Sequence, residues 1–149
     1  MDKKMPTVEE LPANKRRFVI VESPYKGDSP RWEDIDFNIA YLNLCLNDCF
    51  QRGEIPFASH AIYTLSGVLD DKDKEERRIG IESGLALGNV LLNAGGIKAI
   101  YYDLGISEGM KEGAKITHDS GLNVELRRLP KDIFNKLCSN WNKPNLKRI

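Results

Sequence analysis

YYDLGISEGMKEGAKITHDSGLNV, residues 101–124, reads as the end of a buried strand, a glycine-bearing turn and a helix that opens on polar groups. Strand, turn and helix in this order build open α/β sheets, which bind ligands in the crevice beyond the carboxyl ends of their strands. Asp103 falls at the end of the strand and Gly105 permits a sharp turn. Ser107 is placed to cap a helix whose early turns carry Glu108 and Glu112. Two or three carboxylates, a hydroxyl and exposed backbone N–H groups around one crevice suit a small anionic or sugar-bearing ligand.

Working outward, IKAIYYD (97–103) is the strand that feeds this turn, and Gly95-Gly96 before it ends a helix from Lys74 to about Asn93. Ile81, Leu85, Gly88 and Leu92 form one stripe of that helix, and Gly84 and Gly88 allow a neighbouring element to come close. Downstream, LNVELRRL (122–129) is a further strand, and Pro130 opens a helix to roughly Asn142. Toward the N-terminus, RFVIVES (17–23) is a buried strand stopped by Ser23-Pro24. Asp34 caps a helix reaching about Arg52, with Ile35, Ile39, Leu42, Leu46, Cys49 and Phe50 at helical spacing and Gly53 as its stop. IPFAS offers a short strand, while HAIYTLSG reads equally as a helix or an ordered loop. Residues 1–16 are polar, contain Pro6 and Pro12, and are expected to be a mobile lead-in; residues 143–149 form a short basic tail. Strands alternating with helices predict one domain over residues 17–142, an α/β three-layer sandwich with a mainly parallel sheet.

The composition narrows the partner. Across 149 residues, 22 basic and 22 acidic side chains give a formal net charge of +0, which removes the electrostatic basis for binding a nucleic-acid polymer. Cys45, Cys49 and Cys138 lack a paired zinc pattern and are expected to be reduced core thiols, with no metal or other cofactor. No apolar stretch approaches the roughly 20 residues a membrane helix needs, so a cytoplasmic protein without membrane contacts is expected.

The segments SPYKGD after the first strand, PFASH after the first helix, the following ERR, and GISEGMKEGAKITHDSG late in the chain together resemble the nucleoside 2-deoxyribosyltransferase-like superfamily, particularly its small bacterial and viral members. The resemblance runs in order from Arg17 to Leu129. It implies a flavodoxin-like sheet, usually in a homo-oligomer, and cleavage or transfer of the N-glycosidic bond of a nucleoside or nucleoside 5′-monophosphate. It places the nucleophilic glutamate at Glu112, followed by Gly113 and Ala114, and a recurrent arginine at Arg77. It also implies that Tyr25, Lys26 and Gly27 line the nucleoside pocket and that Ser107, Glu108, Gly109 and Met110 cradle a phosphate. Relatives carry an acidic residue just before the third core strand, where this chain has Asn93-Ala94-Gly95-Gly96. That departure keeps open a second function, a protein that binds or senses a nucleotide without catalysis.

The chemistry gives its own reason to examine the acids. Breaking an N-glycosidic bond builds positive charge on the sugar, which a carboxylate can stabilise or capture, while a second group protonates the base. Glu112 is the candidate nucleophile, Asp103 the candidate partner and Glu108 its rival; Glu108 and Glu112 also fit a helix start, where acids favour the positive end of the dipole. His60 and Tyr63 form the other polar set: His60 could protonate a leaving base, and it could equally be a structural, hydrogen-bonded histidine. Tyr25, Gly27, His60, Asp103, Ser107, Gly109 and Glu112 are expected to converge on one crevice. The small-residue stripe of the Lys74–Asn93 helix is expected to lie near a dimer interface.

Overall fold

The computed structural model describes residues 11–25 and 34–149. They form a four-stranded sheet of β1 (Phe18–Glu22), β2 (Ile55–Phe57), β3 (Ile97–Tyr101) and β4 (Val124–Arg127), ordered β2-β1-β3-β4 with every neighbouring pair parallel. The helices are α1 (Ile35–Gln51), α2 (Ser59–Ile62), α3 (Lys74–Asn93), α4 (Glu108–Asp119) and α5 (Lys131–Asn140). Helices cover both faces of the sheet, giving the flavodoxin-like three-layer sandwich that parallel strands with helical crossovers require. Residues 1–10 of the lead-in lie outside the described residues, and its remainder contains a single 3-10 turn, Ala13–Lys15.

Local chemistry sets the ends of these elements. The Asp34 carboxylate accepts from the Phe37 N–H at 3.0 Å and starts α1. Asp73 does the same for α3, accepting from the N–H groups of Glu75 and Glu76. Ser107 caps α4 through the Met110 N–H at 3.3 Å. Between β3 and α4, Gly105 takes a φ of 96°, a left-handed conformation that a residue with a Cβ rarely adopts, so the chain can turn sharply there. Gly96 is required for a different reason: a Cβ would lie 2.6 Å from the Leu91 carbonyl oxygen and 2.9 Å from that of Phe18.

The two faces of the sheet are filled differently. Val19, Val21, Ile97, Ala99 and Tyr101 point to one face, where they meet Phe37, Tyr41, Leu42, Cys45 and Cys49 of α1 and Phe134, Leu137 and Cys138 of α5 in one buried cluster. The buried side of α1 is therefore centred on Phe37, Tyr41 and Cys45. Ile35, Ile39 and Phe50, expected on the apolar stripe, are exposed instead, because α1 is rotated so that Phe37, Tyr41 and Cys45 face the sheet. All three cysteines are buried and free. Ile20, Glu22, Lys98 and Ile100 alternate onto the opposite face, under α3 and α4. There α3 buries only Gly88 and Leu92, and Ile81 and Leu85 of its expected stripe remain exposed. No helix among the described residues is long and apolar enough to cross a membrane.

Candidate functional site

The chain runs outward from β1 to β2, then returns to place β3 on the other side of β1. Between these two strands the connections leave in opposite directions, α1 on one face and α4 on the other, and a crevice opens at their carboxyl ends. A cleft of about 450 Å³ lies there, between α3 and α4 over β1 and β3.

Most of the residues expected at the site meet in this cleft. Tyr25 follows β1, and its carbonyl accepts from the Asn38 side-chain amide at 2.8 Å, which ties Tyr25 to α1. His60 on α2 and Tyr63 just after it enter from the side; Arg77 comes from the first turns of α3, and Ser107, Gly109, Met110 and Glu112 come from the start of α4. Two expected residues, Glu108 and Asp103, do not line it. Lys26 and Gly27 lie outside the described residues. Glu108 points away from the cleft and pairs with Lys111 at 3.1 Å, the ordinary behaviour of an acid in a first helical turn.

Asp103 requires a correction to its expected position. Its side chain is wholly buried on the α1 face and does not reach the cleft. Oδ2 accepts from the Tyr41 hydroxyl at 2.7 Å and from the Leu129 N–H at 3.0 Å, and Oδ1 lies 3.3 Å from Arg148 Nη1. Burial, with Cys45 and Asp103 close by, pushes the Tyr41 phenol far up, so it remains a donor. Asp103 thus fastens the end of β3 to α1, to the segment after β4 and to the C-terminal tail. Alternation explains the miss: residues 101 and 103 share a face, and Tyr101 belongs to the α1 core.

The cleft also gathers residues that the sequence did not single out. Glu22 ends β1 and Lys98 lies inside β3, with Lys98 Nζ 3.4 Å from Glu22 Oε1. The Lys98 side chain is 5% exposed and that of Glu22 28%. Ser23 Oγ lies 3.2 Å from His60 Nε2, and the Tyr25 ring meets the His60 ring edge-on at 6.0 Å. Burial holds His60 below its ordinary pKa, and nearby Glu22 opposes that shift without cancelling it. A neutral imidazole, able to accept at one nitrogen and donate at the other, therefore faces the cleft at neutral pH. The available signal was Lys98 itself, a charge inside an apolar central strand, since buried charges are paired or put to use. Among the described residues, no group of three or more His, Cys, Asp or Glu side chains is placed to hold a metal ion.

The cleft can therefore offer a planar or sugar-bearing ligand a floor with one cation and one anion, a neutral histidine, hydroxyls and the start of a capped helix. Its acids are unevenly placed: Glu22 lies on the floor 3.4 Å from Lys98, Asp71 stands 3.9 Å from Arg77, and Glu76 and the exposed Glu112 line the rim. No curated protein and no solved structure matches the chain. A family model does match, over residues 17–127, a span from the start of β1 to the end of β4 that contains every cleft-lining segment. The chain belongs to that family, described as a domain of unknown function (DUF7768).

Proposed function

We propose that the cleft binds a nucleoside or nucleoside 5′-monophosphate and holds it without cleaving it. The observation that carries this reading is the disposition of the acids around a cleft that is otherwise well supplied for binding. N-glycosidic cleavage asks for one carboxylate at the sugar and a second group that protonates the base or activates water. Asp103 is committed to the core, and of the acids that line the cleft Glu22 stands on the floor 3.4 Å from Lys98, Asp71 lies 3.9 Å from Arg77 and Glu76 accepts from the Asp70 N–H, so no two carboxylates are paired at one point. The binding groups, by contrast, come together: Tyr25, His60, Tyr63, Arg77 and Ser107 arrive from four segments at one mouth. The resemblance to nucleoside 2-deoxyribosyltransferase-like proteins supplies the ligand class.

One observation favours the catalytic alternative, cleavage or transfer through Glu112: this residue lines the same cleft as His60 and Tyr25. A single assay separates the two. Deoxynucleosides and their 5′-monophosphates are presented to the protein, retention is measured by equilibrium dialysis and free base by chromatography. Retention of a ligand with no base released is the expected result. Release of base that Glu112→Gln abolishes, with retention unchanged, would establish the catalytic reading instead. If no ligand is retained and no base appears, both readings fail. We also propose self-association through α3, supported by the exposed Ile79, Leu87 and Val90, which do not line the cleft. A monomeric mass by light scattering at micromolar concentration would count against it.

A further inference from the structure

We propose that Glu22 and Lys98 read the hydrogen-bonding edge of a planar nucleobase, and that a guanine-type edge, with a carbonyl, a ring N–H and an exocyclic amino group in sequence, fits them best. The inference rests on the binding reading above and adds the orientation of the ligand, base inward and sugar toward the mouth.

The argument starts from an incompletely served cation. Lys98 Nζ carries three protons and is almost wholly buried, and its two contacts among the described residues, Glu22 Oε1 and the Gly113 carbonyl, are both at 3.4 Å. Charge-assisted hydrogen bonds of this type settle at about 2.7–2.9 Å. The pair is therefore adjacent without being closed, and it forms part of the cleft lining. An ammonium only donates and a carboxylate only accepts, so the two present a fixed order of donor and then acceptor to whatever enters. A guanine edge answers that order: its carbonyl accepts from Lys98, and its ring N–H and amino group supply one donor to each oxygen of Glu22. Adenine can engage the pair through one donor and one acceptor, which leaves a Glu22 oxygen unserved.

The space above the pair suits a flat ring. Leu85 of α3 and Ile116 of α4 supply apolar walls. Small residues keep the slot open: a Cβ at Gly88 would meet nothing within 4 Å, and one at Gly113 would stand 3.4 Å from Lys98 Nζ. A side chain longer than alanine at position 113 would occupy the place assigned to the base edge.

The test is competition binding with 2′-deoxyguanosine 5′-monophosphate, its N1-methyl derivative and 2′-deoxyadenosine 5′-monophosphate on the full chain. The N1-methyl group removes the ring N–H and adds bulk at the edge, so affinity is expected to fall by at least about tenfold, with the adenine nucleotide also weaker than the guanine one. An N1-methyl derivative that binds as well as the parent, or an adenine nucleotide that binds more tightly, overturns the proposal while leaving nucleotide binding intact. Failure of every nucleotide to bind overturns the binding reading itself. Glu22→Ala, its folding checked by a thermal melt, removes the acceptor for the ring N–H and is expected to bring the parent and methylated affinities together; a folded variant that still discriminates by tenfold contradicts the assignment. Should that variant not fold, the wild-type comparison decides alone.

Discussion

On one face of the sheet, α1 buries six of its 17 residues against the strands; on the other, α3 buries two of its 20, Gly88 and Leu92, both near its C-terminal end. Length and helical character are similar, so the difference lies in what the helices cover. The strands offer α1 and α5 an apolar surface of Val19, Val21, Ile97, Ala99 and Tyr101, whereas α3 and α4 stand over Glu22 and Lys98. Two charges on that floor prevent close apolar contact, because neither can be covered by hydrocarbon without leaving hydrogen-bonding capacity unmet. The first face holds the fold together, and the second stays open to a ligand.

Truncating one large apolar residue on each face gives the most direct way to break this contrast. Phe134 is 1% exposed, meets the Tyr41 ring edge-on at 6.4 Å and sits in the continuous core cluster. Phe134→Ala is expected to lower the unfolding free energy by about 3–5 kcal/mol. Leu85 on α3 is 44% exposed, and Leu85→Ala should cost under about 1 kcal/mol. Urea denaturation of the two variants measures both. Equal losses would mean that the cleft face carries as much of the stability as the core face.

The same contrast explains how far the sequence could be read. The alternation of strands and helices, the Asp34 cap, the ends of α3 and the turn at Gly105 were all legible, because each rests on local chemistry: hydrophobic period, a capping side chain, a glycine that the backbone requires. Which residues face the cleft depends on the rotation of each helix and the register of each strand, and these are tertiary. Asp103 was therefore misplaced by one face. Glu22 and Lys98 were passed over although their register, Ile20 opposite Lys98 and Glu22 opposite Ile100, brings them together from strands 75 residues apart in the chain. The α4 residues were found because a helix start after a strand marks the crevice from sequence alone.

Besides Asp103, the core face buries a second charged group, and it sharpens the comparison. Arg127 reaches under α1 to Glu54 through two bonds of 2.7 and 2.8 Å, with side chains only 1% and 5% exposed, and Arg17 completes the arrangement at 2.7 Å from Glu54. Unlike the pair in the cleft, this one is short and bidentate, and it links the two edge strands of the sheet. Burial pushes the Glu54 carboxyl up, but the hydrogen bonds from Arg127 and Arg17 outweigh it and leave the group below its usual pKa. Its contribution is thus fully present above the unfolded value of about 4.3 and is lost as pH falls through the folded value. Arg127→Met should destabilise the protein at neutral pH by about 3–5 kcal/mol, because it leaves a buried carboxylate with only one of its cations. The gap between wild type and variant should narrow in acid, where that carboxylate is protonated. Chemical denaturation across the acid range checks this, and a gap that stays constant with pH would show that lost packing, not charge, is responsible.

The smallest expected effect belongs to the cleft and concerns His60. Its folded pKa lies below the ordinary value through burial, with Glu22 pulling the other way. On acidification the unfolded chain takes up this proton first, so the unfolded state gains relative to the folded one. The contribution of His60 is therefore complete above the unfolded value of about 6.5 and is lost as pH falls through that value toward the folded one. His60→Gln keeps a polar group beside Ser23 and cannot titrate, so its melting temperature should decline less than that of wild type over this interval. Parallel declines would mean that the imidazole is as easily protonated in the cleft as in water. That outcome would remove the neutral histidine from the site and leave Glu22 beside two cations below neutral pH. A difference between the two curves that a bound nucleotide enlarges would place the neutral imidazole against the ligand itself, since a ligand that binds only the folded, unprotonated form adds its own free energy to that state.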